Sequence, residues 1–164
     1  MTTTNDRDAA LRRQLRSELT TSHAHTGLER AFADVPRELR GRRVDGQPHT
    51  LWRLLEHMRI ALWDILEFSR GPEHVSPKWP QGYWPEGDAP PDDAAWERSV
   101  AALRRDLAEF CDLVDEPARD LHEAFAWGDG QTLLREALVV LEHNSYHLGQ
   151  VVTLRQLLGI WQSD

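Results

Sequence analysis

The sequence is poor in several residue types, and each shortage narrows the kind of protein it encodes. Cys111 is the only cysteine among 164 residues, so no disulfide can form within the chain, which fits a reducing compartment. Lys78 is the only lysine, and a net charge of −8 offers no basic surface to a phosphate backbone. No apolar run reaches the length of a membrane span, and the first ten residues contain no signal-peptide core. We therefore expect a cytoplasmic protein without nucleic-acid or membrane partners.

Helical periodicity covers most of the chain, and no segment alternates for long enough to predict a strand. Thr50 and Thr132 are candidate N-caps, and Gly159 is a candidate C-cap. Four amphipathic helices of this length predict an all-α fold, an up-down four-helix bundle forming one domain over residues 1–164. The predicted helices run from about Asp6 to Phe32, from Thr50 to about Ser69, from just after Pro91 through Val114, and from Thr132 to about Leu158.

A long Pro/Trp-rich loop separates the second and third predicted helices. Residues 71–91 hold six of the nine prolines together with Trp79, Tyr83 and Trp84. The aromatic residues argue against a solvated linker, and a loop this long in a compact domain usually folds over something. Two interpretations stay open: the loop forms a lid or wall of a pocket, or its tryptophans plug one end of the core.

His143 and His147 lie four residues apart on the inward face of the fourth helix, within the stretch EHNSYHLGQ. This spacing places the side-chain bases about 5–6 Å apart, so both rings can reach one ion. Buried imidazoles need partners, and a metal ion or a hydrogen-bonded core pair would supply them. Asn144 replaces the catalytic glutamate of the H-E-x-x-H motif, which excludes a peptidase of that type.

A third ligand has to come from another helix, and His57 is the best candidate because it lies beside the apolar face of the second helix. The alternative is a core histidine bonded to a carbonyl; the pair on the fourth helix makes us prefer a metal ligand. His23 and Glu136 are weaker candidates for catalysis. His23 could also contact substrate or act as a fourth ligand, and Glu136 could equally pair with a neighbouring arginine.

A histidine in the second helix followed by H-x-x-x-H-x-G-Q in the last helix resembles the DinB-like superfamily, which includes YfiT-type metal-dependent hydrolases and relatives that use bacillithiol or mycothiol. The stretches PHTLWRLLEHMRIALWDILEFSR, SPKWPQGYWP and GDGQTLLREAL look like one bacterial subgroup. The resemblance implies a divalent metal, commonly zinc or nickel, held by His57, His143 and His147. It also implies a homodimer packed through helices. Gly149 and Gln150 match the end of the motif, and no general base is carried over.

Three neutral imidazoles leave an open coordination position, which is typical of catalytic sites. A water or a thiol could be activated there. We therefore predict a metal-dependent hydrolase with a small-molecule substrate. The alternatives are a thiol S-transferase that uses a low-molecular-weight thiol, and a non-catalytic metal-binding or stress-related protein. The candidate substrate contacts are His23, Trp52, Trp63, Trp79 and Trp84.

Overall fold

A computed structural model describes residues 4–21 and 23–162, and the chain is all-helical within these ranges. No β-strand occurs in them; an isolated antiparallel bridge joins Ala124 and Thr132. The predicted all-α class is therefore confirmed, while the predicted domain ends at residues 1 and 164 lie outside the described ranges. The helices are α1 (Thr4–Thr20), α2 (Leu28–Phe32), α3 (Leu51–Arg70), α4 (Ala95–Asp115) and α5 (Leu133–Leu157), with 3₁₀ turns at Arg37–Leu39 and Gln81–Tyr83.

Two threonine N-caps and one glycine define ends of the two helices that carry the site. The Thr50 hydroxyl accepts a hydrogen bond from the Arg53 N–H at 3.2 Å and caps α3. The Thr132 hydroxyl accepts from the Arg135 N–H at 3.1 Å and caps α5. Gly159, with φ of +72°, takes the left-handed conformation just beyond α5. All three predicted caps are confirmed.

The prediction of one helix over residues 6–32 is wrong, because the structure has two separate helices in this range. α1 ends at Thr20, whose hydroxyl donates to the carbonyl oxygen of Arg16 at 2.7 Å. Hydroxyl side chains that bond the backbone compete with helix continuation, and the sequence here is rich in them. Gly27, in an extended conformation, then precedes the five-residue α2. The fourfold leucine spacing describes α1 correctly, but its continuation to Phe32 joins two separate elements.

The four long helices pack into a helical bundle. α3 contacts both α4 and α5, and α1 packs against the same two helices. The up-and-down order of the helices stays a prediction. Cys111 is fully buried in α4, and burial raises the pKa of its thiol to about 11, so it packs as a small apolar residue. The apolar residues that recur every three or four positions along α4 are all buried: Trp96, Val100, Leu103, Leu107, Phe110 and Val114.

The segment 71–94, which connects α3 to α4, runs back along α3. The N-cap Thr50 and three α3 residues, at spacings of three, four and seven, hold it, and these spacings put them on one face of the helix. The segment therefore covers the face of α3 that carries His57. The bonds join the Thr50 hydroxyl to Asp88 O (2.6 Å), Arg53 to Pro85 O (3.0 Å), His57 to Tyr83 O (2.8 Å) and Asp64 to the Tyr83 hydroxyl (2.5 Å).

Among the residues that the structure describes, no helix is both long and apolar enough to cross a bilayer.

Candidate metal centre

The structure brings together three histidines from two helices that are distant in sequence. His57 comes from α3, and His143 and His147 come from α5; one ring nitrogen of each lies within 4.8 Å of the others. Nε2 of His143 is 3.0 Å from Nε2 of His57. Tetrahedral zinc, with Zn–N bonds of about 2.1 Å, separates its ligand nitrogens by about 3.4 Å. Small shifts of the rings would therefore let all three share one ion. In the described part of the chain, this is the one group of three histidine, cysteine or acidic residues placed to hold a metal.

Burial keeps the cluster uncharged at neutral pH. The exposed fractions of His57 and His147 are 4% and 6%, and His143 is partly buried. Burial, which disfavours the charged imidazolium, lowers the pKa of His57 to about 4 and that of His143 to about 3, and it lowers the pKa of His147 as well. Neutral imidazole is the form that binds metal, so none of the three rings has to release a proton to the solvent before it binds an ion.

Two of the rings are fixed in one tautomer by their neighbours. Nδ1–H of His57 donates to the carbonyl oxygen of Tyr83 at 2.8 Å, and Nδ1–H of His147 donates to Oε1 of Gln150 at 2.8 Å. A neutral imidazole that donates from Nδ1 has its lone pair on Nε2, so both rings present Nε2 to the cluster. The Nε2–H of His143 is then the donor to His57. To ligate a metal ion through Nε2, His143 would take its other neutral tautomer, with the proton on Nδ1.

Trp84 forms one wall of the cluster. Its ring stacks on His57 with centroids 3.9 Å apart and on His49 with centroids 4.1 Å apart. Both histidine rings are nearly parallel to the Trp84 ring and lie close to its centroid. They would overlap on the same face, so they lie on opposite faces, and both faces of Trp84 are covered. This arrangement leaves Trp84 to shield His57 rather than to stack on a substrate.

His49 is a neighbour that sequence reasoning missed, since its place before the α3 cap suggested a surface or capping residue. Its Nδ1 is buried and has no hydrogen-bond partner among the residues that the structure describes. Burial lowers its pKa, and the positive charge of Arg53 lowers it further. Eight positions separate it from His57, and only the fold of segment 71–94 brings Trp84 between them. No local pattern could have indicated this contact.

The other tryptophan candidates lie in different surroundings. Trp52 belongs to the hydrophobic core. Trp63 packs edge-on against His74, and Trp79, whose exposed fraction is 70%, packs against Tyr83. Of the four tryptophans predicted to contact substrate, Trp84 is the one whose ring touches the histidine cluster.

The weaker catalytic candidates are held by other partners. The ring Nε2 of His23 is 3.0 Å from the Ser17 hydroxyl on an exposed surface, and His23 is not part of the three-histidine cluster. Glu136 is buried, and one of its oxygens accepts a hydrogen bond from Arg135 at 2.6 Å. Glu136 is therefore placed as the ion-pair partner considered from the sequence.

Fold and cluster together define an all-helical protein with a three-histidine site compatible with a divalent metal ion. The family model of the DinB superfamily matches residues 20–151, a range that includes the three histidines and Gln150. The chain belongs to the DinB superfamily. No curated protein and no solved structure matches it.

Proposed function

We propose that this protein binds one divalent metal ion, zinc or nickel, through His57, His143 and His147, and uses it in a reaction of a small molecule. The observation that carries the proposal is the convergence of three neutral imidazoles, two buried and one partly buried, two of which present Nε2 to the cluster because Nδ1–H is hydrogen-bonded elsewhere. Three nitrogen ligands suit zinc or nickel and leave a coordination position for a reactant. We prefer hydrolysis as the reaction.

When bound, the ion would act as a Lewis acid that lowers the pKa of a water or thiol placed on it. The chain's own residues prepare the position. The Tyr83 carbonyl and Gln150 orient two rings, burial keeps them neutral, and Trp84 covers one side of His57 against water. In the described part of the chain, no carboxylate hydrogen-bonds to any of the three rings. The proposal therefore assigns no general base.

The alternative reaction is S-transfer from a low-molecular-weight thiol, and the alternative to catalysis is metal binding alone. A thiol that is ionised by the ion needs no general base, so the surroundings of the three histidines favour this alternative as much as hydrolysis. We also propose that the protein is located in the cytoplasm.

The metal site is tested by measuring metal content on protein without a histidine tag. Apoprotein is incubated with zinc or nickel, desalted and analysed by mass spectrometry, as wild type, His57→Ala and His122→Ala. The last variant removes an exposed histidine and is the matched control. We expect about one ion per chain in the wild type and control and none in His57→Ala. One-to-one binding that survives His57→Ala would contradict the three-histidine site.

The reaction is tested on metal-loaded protein with two panels. One contains chromogenic esters and amides, and the other pairs a low-molecular-weight thiol with an electrophile. Turnover in the first panel that is lost in His143→Ala supports a hydrolase. Turnover only with the thiol supports the transferase, and none in either supports a non-catalytic binder.

We also propose that the long helices run up and down and that two chains form a dimer through helices. Support for a helical interface comes from α5, which exposes Leu138, Tyr146 and Leu157 to solvent. Sedimentation velocity tests this: a single species with the mass of one chain would contradict the dimer.

A further inference from the structure

A second polar cluster lies where segment 71–94 folds back on α3, outside the candidate ligand set. Its centre is Asp64, whose exposed fraction is 9%. Nε2 of His74 is 2.7 Å from Oδ1 of Asp64, and the Tyr83 hydroxyl donates to Oδ2 at 2.5 Å. Both oxygens of one buried carboxylate are thus bonded to the segment that covers it.

Tyr83 links this cluster to the candidate metal centre. Asp64 and His57 are seven positions apart on α3, two turns or about 10 Å along the helix axis. Tyr83 spans that distance, because its hydroxyl bonds Asp64 while its backbone carbonyl accepts the Nδ1–H of His57. One residue therefore connects the anchoring carboxylate with a metal-ligand candidate.

The anchor constrains the position of Tyr83. A buried carboxylate is stable only when its oxygens are hydrogen-bonded, so the docked segment is the conformation that satisfies Asp64. Burial, followed by the bond to Asp64, raises the pKa of Tyr83 to about 12, so the hydroxyl stays protonated and donates at physiological pH. The phenol ring is fixed at its far end, and this limits movement of the carbonyl at the near end.

We propose that Asp64, Tyr83 and His74 form a positioning unit for His57: the bond from the Tyr83 hydroxyl to Asp64 sets the Tyr83 carbonyl, which holds His57 as the Nδ1–H tautomer with Nε2 directed into the cluster. The effect on metal affinity rests on the proposed function. The tautomer of His57 does not, because it is a property of the metal-free protein.

The first measurement uses metal-free protein at neutral pH. Long-range proton–nitrogen NMR spectra of the histidine rings report which nitrogen carries the proton. The wild type should show His57 as the Nδ1–H tautomer. Tyr83→Phe, which keeps the ring and removes the hydroxyl, should shift His57 toward a mixture of tautomers. The matched control is Tyr146→Phe at the other tyrosine, which removes a hydroxyl but keeps the ring that packs edge-on against His147. This variant should keep the wild-type tautomer of His57.

The second measurement is the affinity for Co²⁺, whose visible spectrum also reports ligand geometry. Partners that orient a metal-bound histidine typically contribute 10- to 100-fold in affinity, and we expect about tenfold weaker binding with an altered spectrum in Tyr83→Phe. His74→Leu, which removes the partner of the other Asp64 oxygen, should weaken binding less. Tyr146→Phe should bind as the wild type does.

The outcomes separate this inference from the proposed function. If Tyr83→Phe and His74→Leu keep the wild-type tautomer of His57, the cluster only fastens the segment and the inference is overturned, whether or not metal binds. If the wild type binds no Co²⁺ but the tautomer shifts in Tyr83→Phe, the positioning holds and the metal site fails. Should Tyr83→Phe not fold, His74→Leu decides on the same NMR readout.

Discussion

The two helices that contribute to the histidine cluster position their rings in different ways. On α5, His143 and His147 are one turn apart, and Gln150, which orients His147, follows on the same helix. On α3, His57 stands alone, and the group that orients it is a carbonyl 26 residues further along the chain. The α5 half of the site is built by local geometry, whereas the α3 half depends on tertiary structure.

This difference has a consequence for how the site can fail. The α5 pair keeps its spacing whenever the helix is formed, because i and i+4 side chains share a face. His57 keeps its orientation only while segment 71–94 is docked on α3. Changes in α5 register should therefore abolish the site, while changes in the segment should weaken it by degrees.

The largest effect is expected from rotating one ligand around α5. Exchanging two neighbours, by Tyr146→His together with His147→Tyr, keeps the composition but turns one imidazole by about 100° around the helix. The ring then leaves the cluster, and we expect metal affinity to fall more than 100-fold, because one of three ligands is lost. Competition with a fluorescent chelator measures the change.

The matched control exchanges two exposed neighbours further along α5, by Gln156→Leu together with Leu157→Gln. It should bind metal as the wild type does. Tight binding by the Tyr146/His147 exchange would show that the α5 spacing does not define the site.

Sequence reasoning reached the α5 half more fully than the α3 half for the same physical reason. The helical period put His143 and His147 on one face, and the two threonine caps fixed where α3 and α5 begin. His57 was nominated because it lay beside an apolar face, but its partner could not be predicted, since no local pattern specifies which distant carbonyl it meets. The stacking of Trp84 between two histidines could not be predicted from the sequence for the same reason. The break after Thr20 was missed because leucine spacing outweighed the hydroxyl-rich stretch that follows.

Gln150→Leu should produce the second largest effect, within the α5 half alone. It preserves side-chain size but removes the acceptor for Nδ1–H of His147, so the ring loses its fixed tautomer. We expect metal affinity to fall by about 10- to 100-fold. Chelator competition measures it, with Gln156→Leu, an exposed position on the same helix, as control. An unchanged affinity would show that the helix backbone alone orients His147.

The pH dependence of the metal-free protein probes the α3 half. In the unfolded chain His57 titrates near its ordinary pKa of 6.5, while burial lowers its pKa in the fold to about 4. Between these values the unfolded state binds more protons, so the free energy of unfolding decreases as pH falls from 6.5 and levels off below about 4. Each pH unit in this window should contribute roughly 1.4 kcal/mol per neutral imidazole.

Urea unfolding of apoprotein at several pH values measures this slope. His57→Phe should reduce the slope by roughly 1.4 kcal/mol per pH unit, because the group that titrates differently in the folded and unfolded states is removed. His122→Phe, which removes a histidine at an exposed position, is the matched control. A slope in His57→Phe equal to that of the wild type would place the pH dependence elsewhere in the molecule.

The smallest effect is expected at Trp84, which supports the α3 half from one side. Trp84→Leu removes two stacking contacts, with His57 and His49, and each aromatic pair contributes roughly 0.5–1.5 kcal/mol. Because Trp84 is partly exposed, we expect each contact to contribute about 0.5 kcal/mol, the low end of that range, and the two together about 1 kcal/mol in the free energy of unfolding. Trp79→Leu, at a largely exposed position, should change the free energy of unfolding by less than about 0.5 kcal/mol.

Metal affinity should weaken far less in Trp84→Leu than in the Tyr146/His147 exchange, because the Tyr83 carbonyl still holds His57. Equal losses of affinity in the two would mean that the α3 half is as strict as the α5 half, and that Trp84 rather than the carbonyl keeps His57 in place.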